Sequence, residues 1–412
     1  MVKAYVEYEL LDIKFVPESW DLIEIGNLFD FKNGLNKSKE YFGIGTPIVN
    51  YMDVYKNKGL RLEQIEGKVS LNKDELRAYN VKKGDVFFTR TSETPKEVGL
   101  TSVILDEANK TVFSGFILRG RPKDETLTNQ YKKYCFSTED VRQQIISNAT
   151  FTTRALTNGK VLSKVRILVP PREEQQKIAV ALSDMDELID ALEKIINKKK
   201  KIKQGTMQQL LTGNQRLPGF KENWKLAKVE EFGTIITGGT PVTNVEDYWN
   251  GNVPWVTPSD ISSIKDIKTT EREISEKGLD TINILPPDTV LVTCIASIGK
   301  NAILRQRGSC NQQINAIIPK ESFNPDFIYY LMEVNQKYLL SNAGITATNI
   351  ISKKMFSKID FKIPSSKEQV AIASVLTDMD NEIEALEMKL GKYKQIKEGM
   401  MQELLTGRIR LV

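Results

Sequence analysis

Residues 170–213 read PPREEQQKIAVALSDMDELIDALEKIINKKKKIKQGTMQQLLTG, and residues 364–407 read PSSKEQVAIASVLTDMDNEIEALEMKLGKYKQIKEGMMQELLTG. The two stretches align without a gap at an offset of 194 (364 − 170), and 24 of the 44 positions are identical. A repeat of this length constrains every reading of the fold. Both copies carry helical periodicity. In the first, Ile178, Leu182, Met185, Ile189, Leu192 and Ile196 recur at alternating steps of four and three, and Ile202, Met207 and Leu210 continue after a break. In the second, Ile372, Leu376, Met379, Ile383, Leu386 and Leu390 repeat the pattern, followed by Tyr393, Ile396, Met400 and Leu404. That spacing is a heptad seam.

The ends carry matching signals. Ser365-Ser366-Lys367-Glu368 is a capping-box start, Pro171 suits a first helical turn, and Gly213 and Gly407 suit the position just past a helix end. Each helix spans about 40 residues, roughly 60 Å at about 1.5 Å per residue. Two matching seams in one chain most simply bury each other, and residues 214–363 are long enough to return the chain for an antiparallel pair. Gly205 and Gly399 stand at equivalent places inside the pattern, where glycine costs about 1 kcal/mol relative to alanine. Close backbone approach of helix on helix, or of helix on a domain, is the expected reason.

Outside the helices the chain repeats again, faintly. Trp20 and Gly34 are 14 apart, as are Trp224 and Gly238. Thr46-Pro47-Ile48-Val49 with Asp53 matches Val253-Pro254-Trp255-Val256 with Asp260. Asp85-Val86-Phe87-Phe88-Thr89 matches Thr289-Val290-Leu291-Val292-Thr293, and Ser147-Asn148-Ala149 matches Ser341-Asn342-Ala343. Residues 85–89 and 164–169 read as strands, with weaker alternation around Ile48 and Val49, and turns at Gly34, Gly43, Gly45, Gly59 and Gly84; residues 129–146 read as one helix. The expected class is α+β: two pseudo-repeated α/β domains joined by two long helices forming an antiparallel coiled coil. The expected boundaries are 1–165 (with a leader over 1–14), 166–213 for the first helix, a Pro/Gly linker over 214–222, 223–358, and 359–412 for the second helix. The helices are alike, whereas the domains share a skeleton but not a surface, as expected of one scaffold doing one job on two targets.

Composition narrows the class. The 412 residues include 40% hydrophobic and 27% charged residues, with a net charge of +5. That is ordinary for a soluble protein and mildly basic, compatible with nucleic acid. No run of some 18 apolar residues and no signal-peptide pattern is present, so a cytoplasmic protein with no membrane partner is expected. Cys135, Cys294 and Cys310 read as reduced thiols. Histidine is absent, which excludes a Ser-His-Asp triad, His-containing zinc sites and an imidazole base; no metal site is expected.

In this order, twice, the marks resemble those of the specificity subunit of type I DNA restriction–modification systems. They are the Trp-to-Gly openings, with Gly238-Gly239-Thr240-Pro241 in the second; Gly251-Asn252-Val253-Pro254-Trp255-Val256; Ser297-Ile298-Gly299-Lys300 with Asn311-Gln312-Gln313; and Pro364 with Glu368-Gln369 and a helix ending in Leu404-Leu405-Thr406-Gly407. The first domain departs from the pattern: Asn33-Gly34-Leu35-Asn36 lacks the Gly-Thr-Pro run, and no Asn-Gln-Gln follows Ser114. The resemblance implies a non-catalytic subunit with two target-recognition domains, each reading one half of a bipartite, asymmetric site in double-stranded DNA. It implies helices that hold the domains apart and dock two methyltransferase subunits, with restriction/translocase subunits joining that core. The resemblance also implies that S-adenosylmethionine, ATP and Mg are used by the partner subunits and that this chain holds no cofactor.

Sequence-reading domains need cations for phosphates, and amides, hydroxyls or guanidinium groups for base edges. In the first domain the candidates are Lys32, Asn33, Asn36, Lys37 and Lys39; Arg90, Thr91, Ser92 and Lys96; and Thr152, Thr153, Arg154 and Asn158. In the second they are Thr237, Thr240, Thr243 and Asn244; Ser259, Lys300, Asn311, Gln312 and Gln313; and Thr346, Thr348, Asn349 and Lys353. Lys198-Lys199-Lys200-Lys201 with Lys203 is the densest basic run, suited to a solvated helix face or to a phosphate or partner contact. Helices of this length, set against about 34–36 Å per DNA turn, imply two short half-sites around an unread spacer. A change in helix length should change the spacer alone.

Enzyme signals are weak. Asn324-Pro325-Asp326-Phe327 resembles the Asn-Pro-Pro-Tyr/Phe motif of adenine methyltransferases, but its third residue differs and no Gly-rich loop stands upstream. A helix start at Pro325 is expected instead. Gly299-Lys300-Asn301 lacks the rest of a phosphate-binding loop. The rival reading is a structural coiled-coil adaptor whose globular domains bind proteins; it would lack salt-dependent DNA association.

Overall fold

The computed structural model describes residues 5–6, 16–151, 153–261, 264–344 and 349–412. The chain forms two compact units. One comprises Met1–Leu192 with Lys389–Val412, and the other Glu193–Met388. The expected boundaries kept each long helix whole; the compact units instead divide both helices (Arg172–Leu211 and Ser366–Leu405) and assign each half to the domain it packs on.

The first unit is built on a five-stranded sheet ordered Phe29–Asn33, Ile117–Pro122, Val86–Thr89, Thr101–Ile104, Gly59–Leu60. The second unit repeats it with Gly233–Thr237, Ile314–Pro319, Thr289–Thr293, Asn301–Leu304 and Asp266–Ile267. In both sheets the first four strands pair antiparallel and the fifth joins parallel. A second, three-stranded sheet also recurs. Phe42–Val49 pairs antiparallel with Lys68–Val69 and parallel with Val112–Phe113, and Trp249–Val256 does the same with Glu273–Ile274 and Ser309–Cys310. Asp53 and Asp260 have one role: each carboxylate accepts from a backbone N–H three residues earlier, Asn50 or Thr257, at 2.8 Å.

Two local expectations change. Residues 129–146 do not form one helix: a 3-10 turn over Tyr131–Lys133 precedes a helix over Glu139–Ser147, which starts where the Thr138 hydroxyl accepts from Val141 N–H. Asn324-Pro325 does start a helix, Pro325–Val334, capped by the Asn324 side chain accepting from Phe327 N–H at 2.9 Å. Of the leader, Tyr5–Val6 pairs with Val16–Pro17; Tyr8, Leu10 and Leu11 lie outside the described residues.

The helix halves run antiparallel in each unit and enter the domain cores. Ile178, Leu182, Leu404 and Leu405 join Trp20, Phe136 and Ile167 in the first unit. Ile372, Leu376, Leu210 and Leu211 join Phe232, Phe327 and Phe361 in the second. The seams therefore bury against the domains as well as against each other. Ile189, Leu192, Ile196 and Ile383 are buried; Met185, Met379, Leu386 and Leu390 are half-buried. Ile202 and Ile396, expected in the seam, are 46% and 38% exposed: the heptad phase has slipped there, and these side chains leave the buried stripe.

Polar clusters recur at equivalent places. In the first unit Trp20 Nε1 donates to Glu174 at 2.9 Å, and Arg410 grips the same carboxylate with Nε at 2.5 Å and Nη2 at 2.6 Å. In the second, Trp224 Nε1 donates to Glu368 at 3.3 Å and Arg216 grips it at 2.5 and 2.6 Å. The final aspartate of each Asp-Met-Asp repeat serves two elements. Asp186 accepts from Tyr134 Oη at 2.7 Å and pairs with Lys397; Asp380 accepts from Tyr330 Oη at 2.6 Å and pairs with Lys203. Of the basic run, Lys199 and Lys200 also pair with Glu382 and Glu387, at 2.7 and 2.6 Å, while Lys198 and Lys201 are exposed. Much of the run is thus a ladder to the second helix.

Gly213 and Gly407 end the helices in the left-handed region, both at φ 73°, as their spacing implied. Gly205 and Gly399 contradict the expected close approach: a Cβ built at either meets nothing within 4 Å. With no steric reason for glycine, Gly205→Ala and Gly399→Ala should each stabilise the chain by about 1 kcal/mol through helix propensity. A thermal melt of each variant checks this, and a lowered midpoint would contradict it.

Candidate nucleic-acid interface

Each Trp-to-Gly opening ends where the chain passes against the end of an edge strand of the three-stranded sheet, Val112–Phe113 or Ser309–Cys310. Gly34 lies so close to Ser114 that a Cβ would stand 2.0 Å from its carbonyl oxygen, and at Gly238 it would stand 2.2 Å from those of Cys310 and Asn311. This shared crossing positions the candidate loops in both units.

In the first unit the crossing brings Asn36 and Gly115 together and places Phe116 beside Arg90, whose N–H donates to the Phe116 carbonyl at 3.1 Å. A small sheet adds the rest: Thr91–Ser92 pairs with Ala155–Leu156, which pairs with Thr150–Phe151; the second unit makes the equivalent antiparallel pairings as single bridges, Ile295 to Ile350 and Ile350 to Gly344. Arg154 at the hairpin stands 3.7 Å from Glu93. A cleft of about 370 Å³ lies between Tyr51, Thr91, Glu93, Glu97, Phe116 and Arg154. Thr91 and Arg154, far apart in sequence, thus share one cleft; Arg90, next to Thr91, donates from Nη1 to the Gly115 carbonyl at 3.4 Å, and Thr153 is exposed. Other candidates are engaged inside the domain. Lys32 Nζ donates to the Ala78 carbonyl at 2.6 Å and lies over Tyr79; Lys37 Nζ binds Glu75 at 2.7 Å and the Ser70 carbonyl at 2.8 Å. Ser92 is buried and donates to Glu97 at 2.9 Å, and Asn158 caps a helical turn over Gly159–Leu162. Asn33, at the end of its strand, and Lys39 and Lys96, in separate 3-10 turns, are exposed. Thr152 lies outside the described residues.

In the second unit four segments converge. Thr240 Oγ1 donates to Gln312 at 2.6 Å, and Thr237 Oγ1 donates to Asn315 at 2.9 Å. Asn311 is buried; its side chain donates to Gln313 Oε1 at 3.1 Å and accepts from Gln313 N–H at 3.0 Å, which leaves Gln312 at the exposed tip. The Gln313 carbonyl accepts from Cys294 N–H, and the Asn349 carbonyl from Ala296 N–H, tying in the loop that ends at exposed Lys300. Burial pushes the Cys294 thiol up to about 11, so it stays neutral and unreactive at neutral pH. Thr243, Asn244, Ser259, Asn349 and Lys353 are exposed; Ser259 Oγ lies 2.7 Å from Thr257 Oγ1. Thr346 and Thr348 lie outside the described residues.

Some residues at these surfaces are not marked by the sequence. Phe116 and Phe151 are 66% and 60% exposed beside the arginines of the first unit, and Tyr51 and Tyr55 stack at 6.0 Å nearby. In the second unit Trp249 and Trp255 meet edge to face under Arg272. An aromatic residue in a short strand looks the same in sequence whether it points to a core or to solvent. One available signal was the uneven distribution of tryptophan, two in the strand Trp249–Val256 against none in its counterpart Phe42–Val49.

Among the described residues no helix is long and apolar enough to cross a membrane, and no cluster of side chains suits a metal ion. The loops offer amide, hydroxyl and guanidinium donors with aromatic faces, the chemistry of base edges and phosphates.

Comparison with known proteins agrees. The family model described as type I restriction modification DNA specificity domain matches twice, over residues 17–204 and 221–397. The chain is similar to the type I restriction enzyme MjaIX specificity subunit of Methanocaldococcus jannaschii, at 32% identity over 45% of this chain and 44% of the relative. It is similar to the MjaVIII specificity subunit of the same organism at 24% identity over 96% of this chain and 94% of the relative. The crystal structure of the type I restriction-modification system S subunit from M. genitalium shares the fold, with a TM-score of 0.58 at 15% identity, covering 98% of this chain and 99% of that one. With both halves matched, the chain belongs to the type I restriction–modification DNA specificity family.

Proposed function

We propose that this chain is the non-catalytic, sequence-reading subunit of a type I restriction–modification complex. Each unit reads one half of a split, asymmetric site in double-stranded DNA. The long helices serve as spacer ruler and as dock for two methyltransferase subunits, and restriction/translocase subunits join that core. The chemistry, with its S-adenosylmethionine, ATP and Mg, belongs to those partners.

One observation carries this reading. A single sheet topology is built twice, and the loops at its shared crossing present different groups: Arg90, Thr91, Arg154 and Phe116 in the first unit, Thr240, Gln312 and Lys300 in the second. Identical scaffolds with unlike donors suit two unlike half-sites. The test is to co-express the chain with a cognate methyltransferase and map every methylated adenine by sequencing. A split motif with two different halves is the expected result. A contiguous palindrome, or no methylation dependent on this chain, would sink the reading in favour of a protein-binding adaptor.

A further inference from the structure

Arg272 is a cation of the second unit with a distinctive seat. It sits at the edge of the three-stranded sheet, where its carbonyl accepts from Trp255 N–H at 3.4 Å and from Thr270 Oγ1 at 2.7 Å. Its guanidinium carbon lies 4.2 Å from the centroid of the Trp249 ring and 5.1 Å from that of Trp255. The two indoles meet edge to face, 5.2 Å apart at 87°. The residue is exposed, and among the described residues no carboxylate lies within 4 Å of the guanidinium and no acceptor takes its N–H groups. Arginine elsewhere in this unit is saturated: Arg305 binds Asp266, Asp288 and Asp326, and Arg307 binds Glu276.

The indoles also hold the candidate loop. Trp255 Nε1 donates to the Gly239 carbonyl at 2.9 Å, and Trp249 Nε1 donates to the Val242 carbonyl at 3.3 Å. The stretch that carries Thr240, Thr243 and Asn244 is therefore fastened to the same two rings that hold Arg272. A planar cation fixed on an aromatic platform loses little freedom when it binds an anion. The loop beside it supplies neutral hydroxyls and amides, the groups suited to base edges, and lacks a cation of its own to fix their register.

We propose that Arg272 is a pre-organised contact to a DNA backbone phosphate that sets the register of the second unit's reading loop; this rests on the DNA-reading function above. The first unit has no counterpart. Pro47 opposes Lys68 as Pro254 opposes Glu273, so Gly67 occupies the place of Arg272.

The test uses the full chain in complex with its methyltransferase and a fluorescent duplex carrying the mapped site, with affinity measured across a range of salt. Arg272→Gln keeps a planar side chain on the rings while removing the charge. It should weaken binding roughly 10-fold at low salt and reduce the slope of log affinity against log salt by about 0.9. Arg272→Lys should restore the slope, and the methylated motif should stay the same in both. An unchanged slope in Arg272→Gln would overturn the proposal, leaving the residue as a lid on the tryptophans. A motif that loses one base pair would also overturn it, making Arg272 a base reader. If the wild-type complex shows no salt-dependent DNA binding, the DNA-reading function fails first and takes this proposal with it, a result distinct from a failure at Arg272 alone.

Discussion

Glu368→Ala should destabilise the second unit by about 3 kcal/mol, the low end of what removing one partner of a buried ion pair costs. Glu368 is fully buried and receives both arms of Arg216 and the Trp224 indole. Deleting it leaves those donors facing a cavity, although the Arg216 side chain, a quarter exposed, recovers some water. Hydrogen exchange of second-unit amides is the suitable readout, because two compact units need not unfold together. Glu174→Ala should act equally on the first unit through Arg410 and Trp20. In that unit burial alone would raise the Glu174 carboxyl, and hydrogen bonds from Arg410 and Trp20 outweigh it, holding it below the usual range. Its contribution is therefore complete above the unfolded carboxylate pKa and is lost as pH falls through the lower folded value. A loss under about 1 kcal/mol in both variants would mean that the clusters are ornaments of well-packed helix ends.

Gln312→Ala should weaken recognition of one half-site about 10-fold or more, and leave the other half-site as it was. A side-chain amide paired with both edge atoms of an adenine is worth about 1–3 kcal/mol of discrimination. Gln312 is the exposed member of its tripeptide, held by Thr240 while Asn311 and Gln313 bond each other. The substitution removes the tip and spares the loop's internal bonds. Methylation mapping in cells carrying the variant separates the outcomes: one degenerate position in one half of the motif is expected. Uniform loss across both halves would show that the change had damaged the complex instead. Arg154→Ala is the matched experiment for the first unit, where the expected change falls in the opposite half.

Much of this was legible in the chain alone. The duplicated 44-residue stretch declared both helices and their closing glycines, because helix periodicity and end signals are local properties of sequence; the starts differ, since Glu368, read as half of a capping box, is instead bound by Arg216 and Trp224, and the first helix begins at Arg172, just after Pro171. The Trp-to-Gly spacing pointed to a repeated domain, and both glycines lie at a backbone crossing too tight for a Cβ. The candidate stretches around residues 90, 154, 240 and 312 were named from residue type, and the fold brings them together in pairs. What the chain could not declare depends on partners distant in sequence. Lys32 and Lys37 look like free cations until Ala78 and Glu75 are placed beside them. The lysine run looks like a solvated face until Asp380, Glu382 and Glu387 arrive from the other helix. Gly205 and Gly399 promised a close packing that open space denies. The exposure of Phe116 and Phe151, and the seating of Arg272 on two indoles, are set by strand register and loop crossing, which no local pattern encodes. Periodicity and helix ends were thus written in neighbouring residues, while the judgement of which polar group is free and which is already held waited on the tertiary structure, because burial and pairing depend on which residues the fold brings together.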